Sequence, residues 1–220
     1  MTSDDAVERA LRTGGDSEDR IHQAAADLLR RRGARGTVVD VGCGIGRFRD
    51  AVRDLAADYI GVDIVRHPKL PRDVAFFQAD LDREGIPLDT ASADVVAAIE
   101  TVEHLENPHA FVRELTRLLK PGGWLVMTTP NQVSMLSLAS LVVRGRFAAF
   151  QDDYYPIHRT ALLPIDLVRI AGECGLTSPE LAFSTSGRIP FTGVHYPRVM
   201  PRLFPRAFSD HVLLVAQKNC

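Results

Sequence analysis

The amino-acid sequence predicts an α/β protein in which a mostly parallel β-sheet is flanked by helices. Three observations lead to this prediction. Short apolar segments alternate with helical segments through the first 130 residues, as in a parallel sheet with crossover helices. A glycine-rich turn follows the first apolar segment, where such folds bind nucleotides. The 220 residues, of which 45% are hydrophobic, can bury one large core, so we predict a single domain spanning residues 1–220.

The first predicted helix runs from Ser17 to Arg32, with its apolar residues on one face and Gly33 as its stop. Residues 1–16 are polar, contain a Gly-Gly break and are predicted to be flexible. The first strand ends in the segment VVDVGCGIGRF, residues 38–48. Its glycines allow a sharp turn and a close approach of a ligand to backbone N–H groups at the start of a helix.

The spacing of these glycines distinguishes two kinds of nucleotide ligand. Gly42, Gly44 and Gly46 form the pattern G-x-G-x-G. The dinucleotide fingerprint instead has its third glycine where this chain has Arg47. The carboxylate of Asp40, just before the turn, suits a ligand with a positive amine and contributes nothing to a pyrophosphate. The turn therefore argues against a nicotinamide cofactor, and a nucleotide-dependent dehydrogenase is kept only as an alternative.

Six further strands and four further helices are predicted downstream of the first strand. The strands are Tyr59–Ile64, Val74–Asp80, Asp94–Ile99, Trp124–Thr129, Leu176–Ser186 and His211–Gln217. The helices are Arg47–Ala57, Pro108–Lys120, Val133–Val143 and Ala161–Cys174. The last two strands are predicted to pair like a hairpin, so the sheet should have seven strands around a core of five parallel ones.

Two insertions, residues 131–160 after the fifth strand and 187–208 after the sixth, are predicted to cover a substrate pocket. In the second, Arg198, Arg202 and Arg206 recur every four residues. A basic face for an anionic substrate is one interpretation of this spacing, and a solvated face is another. The proline and aromatic content of the segment is also compatible with a lid, a dimer surface or a lipid-facing patch.

Charge and cysteine content limit the classes of partner and the compartment. The formal net charge is −2 and the pI is about 6.4, so there is no overall attraction to a phosphate backbone and no nucleic-acid partner is expected. Three separated cysteines argue against a disulfide framework and fit a reducing, cytoplasmic location. No apolar stretch approaches the roughly 20 residues that a membrane span needs, so none is expected.

Asp63 ends the second predicted strand and lies 21 positions after Gly42. In nucleotide-binding α/β folds an acid about 20 residues after the glycine turn binds the ribose hydroxyls. A carboxylate accepts both hydroxyl protons, which a neutral side chain does less well. The turn and this acid are independent signals for the same ligand class.

The segments DVGCGIG and LLKPGGWLVMTTPN resemble the class I S-adenosylmethionine (SAM) dependent methyltransferases, and among them the ubiquinone-pathway O-methyltransferases. The resemblance implies a Rossmann-like sheet and SAM as cofactor. It places Asp40 at the methionine end of SAM and Asp80 at the adenine amino group, with Leu81 packed on the ring. The full set of cofactor-binding residues that it implies is Asp40, Gly42, Cys43, Gly44, Gly46, Asp63, Ile64, Asp80, Leu81, Ile99 and Glu100.

A second cluster follows the fourth predicted strand, where Glu100, Glu103 and His104 would share a face if they formed one helical turn. The spacing resembles the Glu-x-x-Glu-His signature of ubiquinone-pathway O-methyltransferases and the metal-binding signature of small-RNA terminal methyltransferases. The RNA family has a second histidine where this chain has Leu105, although His158 lies far enough downstream to return as a fourth ligand. Two interpretations remain beside metal binding: Glu103 and His104 tie the loop to its neighbours, or the cluster supplies a base.

We predict no metal, and we predict that Glu100, His104 and His158 act as general base and positioning groups. The predicted function is SAM-dependent methylation of an oxygen or nitrogen of a small biosynthetic molecule by a monomer or homodimer. One alternative is a non-methylating reaction of a SAM-derived sulfonium, such as an intramolecular cyclisation. Another is a catalytically silent SAM-binding subunit.

Overall fold

The computed structural model describes residues 7–8, 10–12, 14, 17–184 and 186–219, so most of the predicted flexible start lies outside the described residues. The strands are β1 Gly36–Val41, β2 Ala56–Asp63, β3 Ala75–Gln78, β4 Ala93–Ala98, β5 Leu119–Pro130, β6 Leu176–Phe183 and β7 His211–Lys218. The helices are α1 Asp19–Arg31, α2 Arg47–Ala51, α3 Pro108–Leu118, α4 Met135–Arg144, α5 Pro164–Glu173, α6 Val199–Leu203 and α7 Pro205–Phe208. Two single 3₁₀ turns, Val102–His104 and Asp152–Tyr154, complete the described elements.

The described strands form one seven-stranded sheet in the order β3-β2-β1-β4-β5-β7-β6. The first five strands pair in parallel, and β7 runs antiparallel between β5 and β6. The prediction of a seven-stranded, mostly parallel sheet flanked by helices is therefore confirmed. Because β7 is inserted between β5 and β6, its first residue, His211, pairs with Pro130 at the end of β5.

Helices cover both faces of the sheet, and alternate residues of the central strands face opposite layers. Val38 and Val95 belong to the buried cluster that includes Leu28 of α1. Their neighbours Val39 and Val96 belong to the cluster that includes the apolar face of α3. Strands buried on both faces need a continuous apolar sequence, and this requirement explains the valine-rich segments from which the fold is predicted.

The first crossover helix is shorter than the predicted Arg47–Ala57, because α2 ends at Ala51 and β2 already begins at Ala56. Arg30 of α1 explains the early end: its Nη2 donates to the carbonyl of Ala51 at 2.6 Å, and its guanidinium pairs with Asp54. A side chain from another helix thus satisfies a carbonyl that would otherwise accept from the next helical turn.

Several other boundaries differ by a few residues from their predictions. The strand β5 begins at Leu119, so the predicted helix Pro108–Lys120 ends two residues early and the segment Pro121-Gly122-Gly123 lies inside the strand. The helix α1 begins at Asp19 because the hydroxyl of Ser17 bonds His22 Nε2 at 2.8 Å and does not cap the helix. The second insertion, predicted to be irregular, contains the short helices α6 and α7. None of the helices in the described ranges is long and apolar enough to cross a membrane.

Candidate active site

A cavity of about 1040 Å³ opens where the parallel strands end. Its walls include most of the residues predicted from the sequence, which are Gly42, Asp63, Ile64, Asp80, Leu81, Ile99, Glu100, His104 and His158. The carboxyl ends of the strands in an open α/β sheet are where ligands bind. The fold therefore assembles predicted cofactor-binding and catalytic residues around one space. Asp40, Cys43, Gly44 and Gly46 do not line this cavity.

The conformation and close packing of the glycine turn explain why its positions are glycines. Gly42, Gly44 and Gly46 all have positive φ, at 81°, 49° and 83°. A Cβ at Gly42 would also lie 2.4 Å from the hydroxyl oxygen of Thr101, and a side chain at Gly46 would meet Leu70 at 2.8 Å. Backbone conformation and close packing therefore both require glycine at Gly42 and Gly46.

The carboxylate of Asp63 is oriented by two backbone donors. Its Oδ2 accepts from the N–H of Gly44 at 2.9 Å and its Oδ1 accepts from the N–H of Ile64 at 2.7 Å. Burial raises the pKa of this carboxyl, and the two backbone hydrogen bonds oppose that shift. Each carboxylate oxygen keeps a second lone pair, so a group with two adjacent hydroxyls, such as a ribose, can be bound without rearrangement.

Asp40 does not point into the cavity. Its carboxylate is buried and accepts a short hydrogen bond from the hydroxyl of Tyr59 on β2. Burial is the main reason that the pKa of Asp40 rises to about 7, and the charge of Asp63 contributes to the same shift. Cys43 is also buried, and desolvation raises the pKa of its thiol. Contact between Asp40 and the methionine end of SAM remains a prediction, which would require the Asp40–Tyr59 pair to open or a water to bridge.

Asp80 and Leu81 follow β3 and also line the cavity. Asp80 Oδ1 accepts from the N–H of Asp82 at 3.2 Å, and Arg83 lies 3.7 Å from its Oδ2. A carboxylate has further lone pairs with which to accept hydrogen bonds. The arrangement is compatible with the predicted adenine contact.

Glu100, Glu103 and His104 do not occupy one helical turn, so the condition for sharing one helical face is not met. Only Val102–His104 forms a 3₁₀ turn, and Glu100 precedes it with a φ of +50°. A positive φ is unfavourable for a glutamate and persists only where the surroundings impose it. Here the hydroxyl of Thr128 does so, accepting from the N–H of Glu100 at 2.9 Å and donating to its Oε1 at 2.7 Å.

His211, at the start of β7, completes the surroundings of Glu100. Its Nε2 lies 3.5 Å from Glu100 Oε2, and both residues line the cavity. Neither His211 nor Thr128 is among the residues predicted from the sequence. No local motif marks them, because they reach Glu100 from β5 and β7, 28 and 111 positions downstream. Only the insertion of β7 next to β5 brings the histidine to this position.

A second polar cluster contains Glu103, His104 and His158, each of which offers a ligand atom within 4.8 Å of the others. Glu103 is 1% exposed, and neither of its carboxylate oxygens is hydrogen-bonded by a described residue. Burial, followed by the nearby charge of Glu100, raises the pKa of Glu103 well above its ordinary value. The structure therefore groups three of the four residues considered as metal ligands and turns Glu100 away to Thr128 and His211.

Backbone carbonyls orient both histidines of this cluster. His104 Nδ1 lies 2.9 Å from the carbonyl of Ile157, and His158 Nδ1 lies 2.5 Å from the carbonyl of Ala149. A carbonyl oxygen can accept a hydrogen bond but cannot donate one, so Nδ1 carries the hydrogen in each ring. In the neutral imidazole, Nε2 then carries the lone pair. The histidines thus have the tautomer of a proton acceptor and also tie the loop after β4 to the first insertion.

Comparison with known proteins identifies relatives of this chain. A family model described as a methyltransferase domain matches residues 15–171. A probable S-adenosylmethionine-dependent methyltransferase of Mycolicibacterium smegmatis is 34% identical over 119 residues, covering 52% of this chain and 46% of that protein. The chain thus matches less than half the length of this relative. A ubiquinone biosynthesis O-methyltransferase of Thiobacillus denitrificans is 28% identical over 166 residues, covering 72% of this chain and 71% of that protein.

Solved structures share the fold at low sequence identity. A putative methyltransferase from a complex with the Haloferax volcanii Trm112 activator superposes with a TM-score of 0.67 at 22% identity, over 97% of this chain and 95% of that one. A Burkholderia thailandensis 1,6-didemethyltoxoflavin N1-methyltransferase, solved with S-adenosylhomocysteine, superposes with a TM-score of 0.63 at 15% identity, over 99% of this chain and 87% of that one.

Proposed function

Because the chain belongs to the class I SAM-dependent methyltransferases, we propose that it transfers a methyl group from SAM to an oxygen or nitrogen of a small-molecule acceptor. The observation that carries the proposal is that one cavity is lined by Asp63 and also by Glu100, His104, His158 and His211. The cavity thus combines an acid suited to a nucleoside with several side chains that can take up a proton. This combination fits the transfer of a methyl group from a nucleoside cofactor to a small molecule that loses a proton.

Bound SAM would supply an electrophilic methyl group on a sulfonium, which is already a good leaving centre. Asp63 would hold the ribose through its two carboxylate oxygens, since Gly44 and Ile64 fix their direction. Glu100 would accept the acceptor's proton at Oε2, the oxygen that faces His211, because Oε1 already accepts from Thr128. The lone pairs on Nε2 of His104 and His158 offer two further places to bind or receive a proton.

The two insertions are proposed to choose the acceptor. Residues of both line the cavity, among them Ser140, Gln151 and Phe191. The relatives named as ubiquinone biosynthesis O-methyltransferases and as an N1-methyltransferase act, by those names, on an oxygen and a nitrogen respectively. Both support a small-molecule acceptor for this chain and do not distinguish between the two atoms.

The proposal is tested by incubating the protein with SAM and candidate acceptors and measuring product masses. Methylation adds one methyl group to the acceptor and releases the demethylated cofactor. A product with no added methyl would instead favour the cyclisation of a SAM-derived sulfonium. SAM binding without turnover of any acceptor would favour the silent subunit.

Asp63→Ala is expected to weaken SAM binding by about 1.5 to 3 kcal/mol, about tenfold or more, because two hydrogen bonds to the ribose are lost. Titration calorimetry measures this directly. Asp58→Ala is a matched control, since it removes an exposed aspartate from the same strand without touching the cavity. Asp63→Asn, which keeps one acceptor oxygen, should give a smaller loss. Equal SAM affinity in Asp63→Ala and the parent would remove Asp63 from the site.

Activity is expected to survive exhaustive chelation, because we propose that the cluster of Glu103, His104 and His158 acts without a metal. Two observations support this: Leu105 stands in place of a second adjacent histidine, and Glu100 is held by Thr128 away from the cluster. Elemental analysis of the purified protein and assays after chelation and metal add-back are the measurements. Loss of activity on chelation, restored by one divalent ion, would assign the cluster to a metal.

A further inference from the structure

Two segments next to the cavity differ in charge from the rest of the chain. Residues 131–151 and 186–209 contain six arginines and no aspartate, glutamate or lysine. Since the whole chain carries −2, the six arginines leave −8 for the remainder. Arg146 and Arg188 pair with Asp152 and Asp210, which directly follow the two segments, so four of the six arginines have no ion pair with a described acid. Arg198, Arg202 and Arg206 are all exposed, and none of them forms an ion pair with a described acid. We call the surface formed by the two segments the basic face.

The basic face also collects the exposed apolar side chains. Ten of the fifteen large hydrophobic residues exposed in the described part of the chain lie in these two segments, which make up about a fifth of the sequence. They are Met135, Leu138, Leu141, Val142, Val143, Phe191, Val194, Val199, Leu203 and Phe204. Val142 is 85% exposed and Leu203 is 67% exposed, so these are large apolar surfaces in water. Such a concentration indicates a surface that is covered in use.

The two segments are in contact, so the face is continuous. The guanidinium of Arg144 in α4 lies 5.1 Å from the ring centre of Phe191 in the second insertion. The side-chain amide of Asn131, just before α4, donates to the carbonyls of Arg206 and Ser209 at 2.9 and 2.8 Å. Arg144, Arg188 and Phe191 also line the cavity, so the basic face borders its mouth.

We propose that the basic face docks on the surface of an anionic lipid bilayer. Exposed aliphatic side chains gain by entering the boundary between headgroups and acyl chains, and arginines beside them gain by contact with anionic headgroups. Aliphatic side chains and arginines lie together on this face, whereas the rest of the chain is acidic. This distribution fits a protein that binds a membrane in one orientation. The inference stands apart from methyl transfer and is tested without SAM.

Charge argues against one other occupant of the basic face, and the kind of apolar side chain argues against a second. A second copy of the chain meeting this face with its own would bring arginines against arginines, and such like-charge contacts are unfavourable. Single-stranded nucleic acid is bound by aromatic stacking as well as by cations, whereas eight of the ten exposed apolar residues here are aliphatic. Val142 and Leu203 would gain little beside phosphates or bases, but they match the edge of an acyl layer.

The test is co-sedimentation of the full chain with sucrose-loaded vesicles, either of phosphatidylcholine alone or of phosphatidylcholine mixed with phosphatidylglycerol. We expect binding to the mixed vesicles, much weaker binding to the neutral ones, and release at high salt. The triple change Arg198→Gln, Arg202→Gln and Arg206→Gln should lower the partition coefficient at least about tenfold. The pair Val142→Ser and Leu203→Ser should lower it by roughly tenfold at unchanged charge.

Matched controls use the same substitutions elsewhere on the surface. Arg53→Gln, Arg113→Gln and Arg169→Gln together remove three exposed arginines outside the face, and Ile165→Ser removes an exposed aliphatic residue of α5. These variants should bind mixed vesicles like the parent. Absence of sedimentation with mixed vesicles, equal binding to both vesicle types, or equal losses in test and control variants would each overturn the proposal. So would a dimer that the Val142 and Leu203 changes dissociate, in a protein that does not bind vesicles.

Discussion

Glu100→Gln is expected to lower the turnover number about a hundred- to ten-thousandfold, a much larger effect than any loss of SAM affinity, because the amide keeps the hydrogen-bonding capacity that cofactor contact would need. The amide keeps an oxygen for Thr128 but cannot take a proton from the acceptor, and loss of a positioned general base has an effect of this size. The acidic limb of the pH–rate profile should flatten in the variant, because the general base has been removed. Steady-state kinetics at several pH values and calorimetry with SAM are the measurements.

Variants of His104 and His158 test whether Glu100 or one of these imidazoles is the general base. His104→Ala and His158→Ala should each lower turnover less than Glu100→Gln does, if they position the acceptor and do not take its proton. Glu84→Gln, at an exposed position away from the cavity, is the control for the loss of a surface charge. Full turnover in Glu100→Gln, with a large loss in one histidine variant, would transfer the role of base to that imidazole.

Asp40→Asn is expected to become more stable relative to the parent as the pH rises, by about 4 kcal/mol between about pH 4 and pH 7. Burial raises the pKa of Asp40 from 3.8 to about 7, so between these values the folded state binds a proton that the unfolded state has released. The stability that this group contributes is therefore present below pH 3.8 and is lost as the pH rises through about 7. Asparagine stays neutral and has no such loss.

Urea unfolding of the parent and of Asp40→Asn across this pH range measures the difference, and groups common to both proteins cancel. Tyr59→Phe is an informative second variant, because the hydrogen bond from Tyr59 lowers the pKa of Asp40. Its removal should extend the loss of stability to higher pH. Parallel stability curves for the parent and Asp40→Asn would contradict the burial of a titrating Asp40.

Local sequence patterns were sufficient to predict the first strands of the sheet and the glycine turn between them. The run of apolar residues before Gly42 predicts a strand buried on both faces, because only such a strand has no polar side to expose. The three glycines predict a turn that has positive φ at each of them, and the acid 21 positions later predicts the end of the adjacent strand. Since parallel neighbours end at the same edge of the sheet, Asp63 then necessarily lies next to the turn, where it binds Gly44.

The boundaries and partners that were missed depend on residues distant in the chain. The end of α2 is decided by Arg30 of another helix, and the hydrogen bond of Asp40 is decided by Tyr59 of the next strand. Neither pair can be predicted from spacing, because a strand-end carboxylate has the same local sequence whether it faces a ligand or a tyrosine.

The sequence by itself determined the α/β class, the family and the edge of the sheet where the cavity opens, since these follow from the period of apolar residues and from short motifs. Only the tertiary structure decided which partners the polar residues after β4 have. Glu100 contacts Thr128 and His211, whereas Glu103 lies in a cluster with His104 and His158. The physical reason is that distant strands supply the partners: Thr128 of β5 holds the positive φ of Glu100, and the antiparallel entry of β7 beside β5 places His211 against Glu100 from 111 positions away.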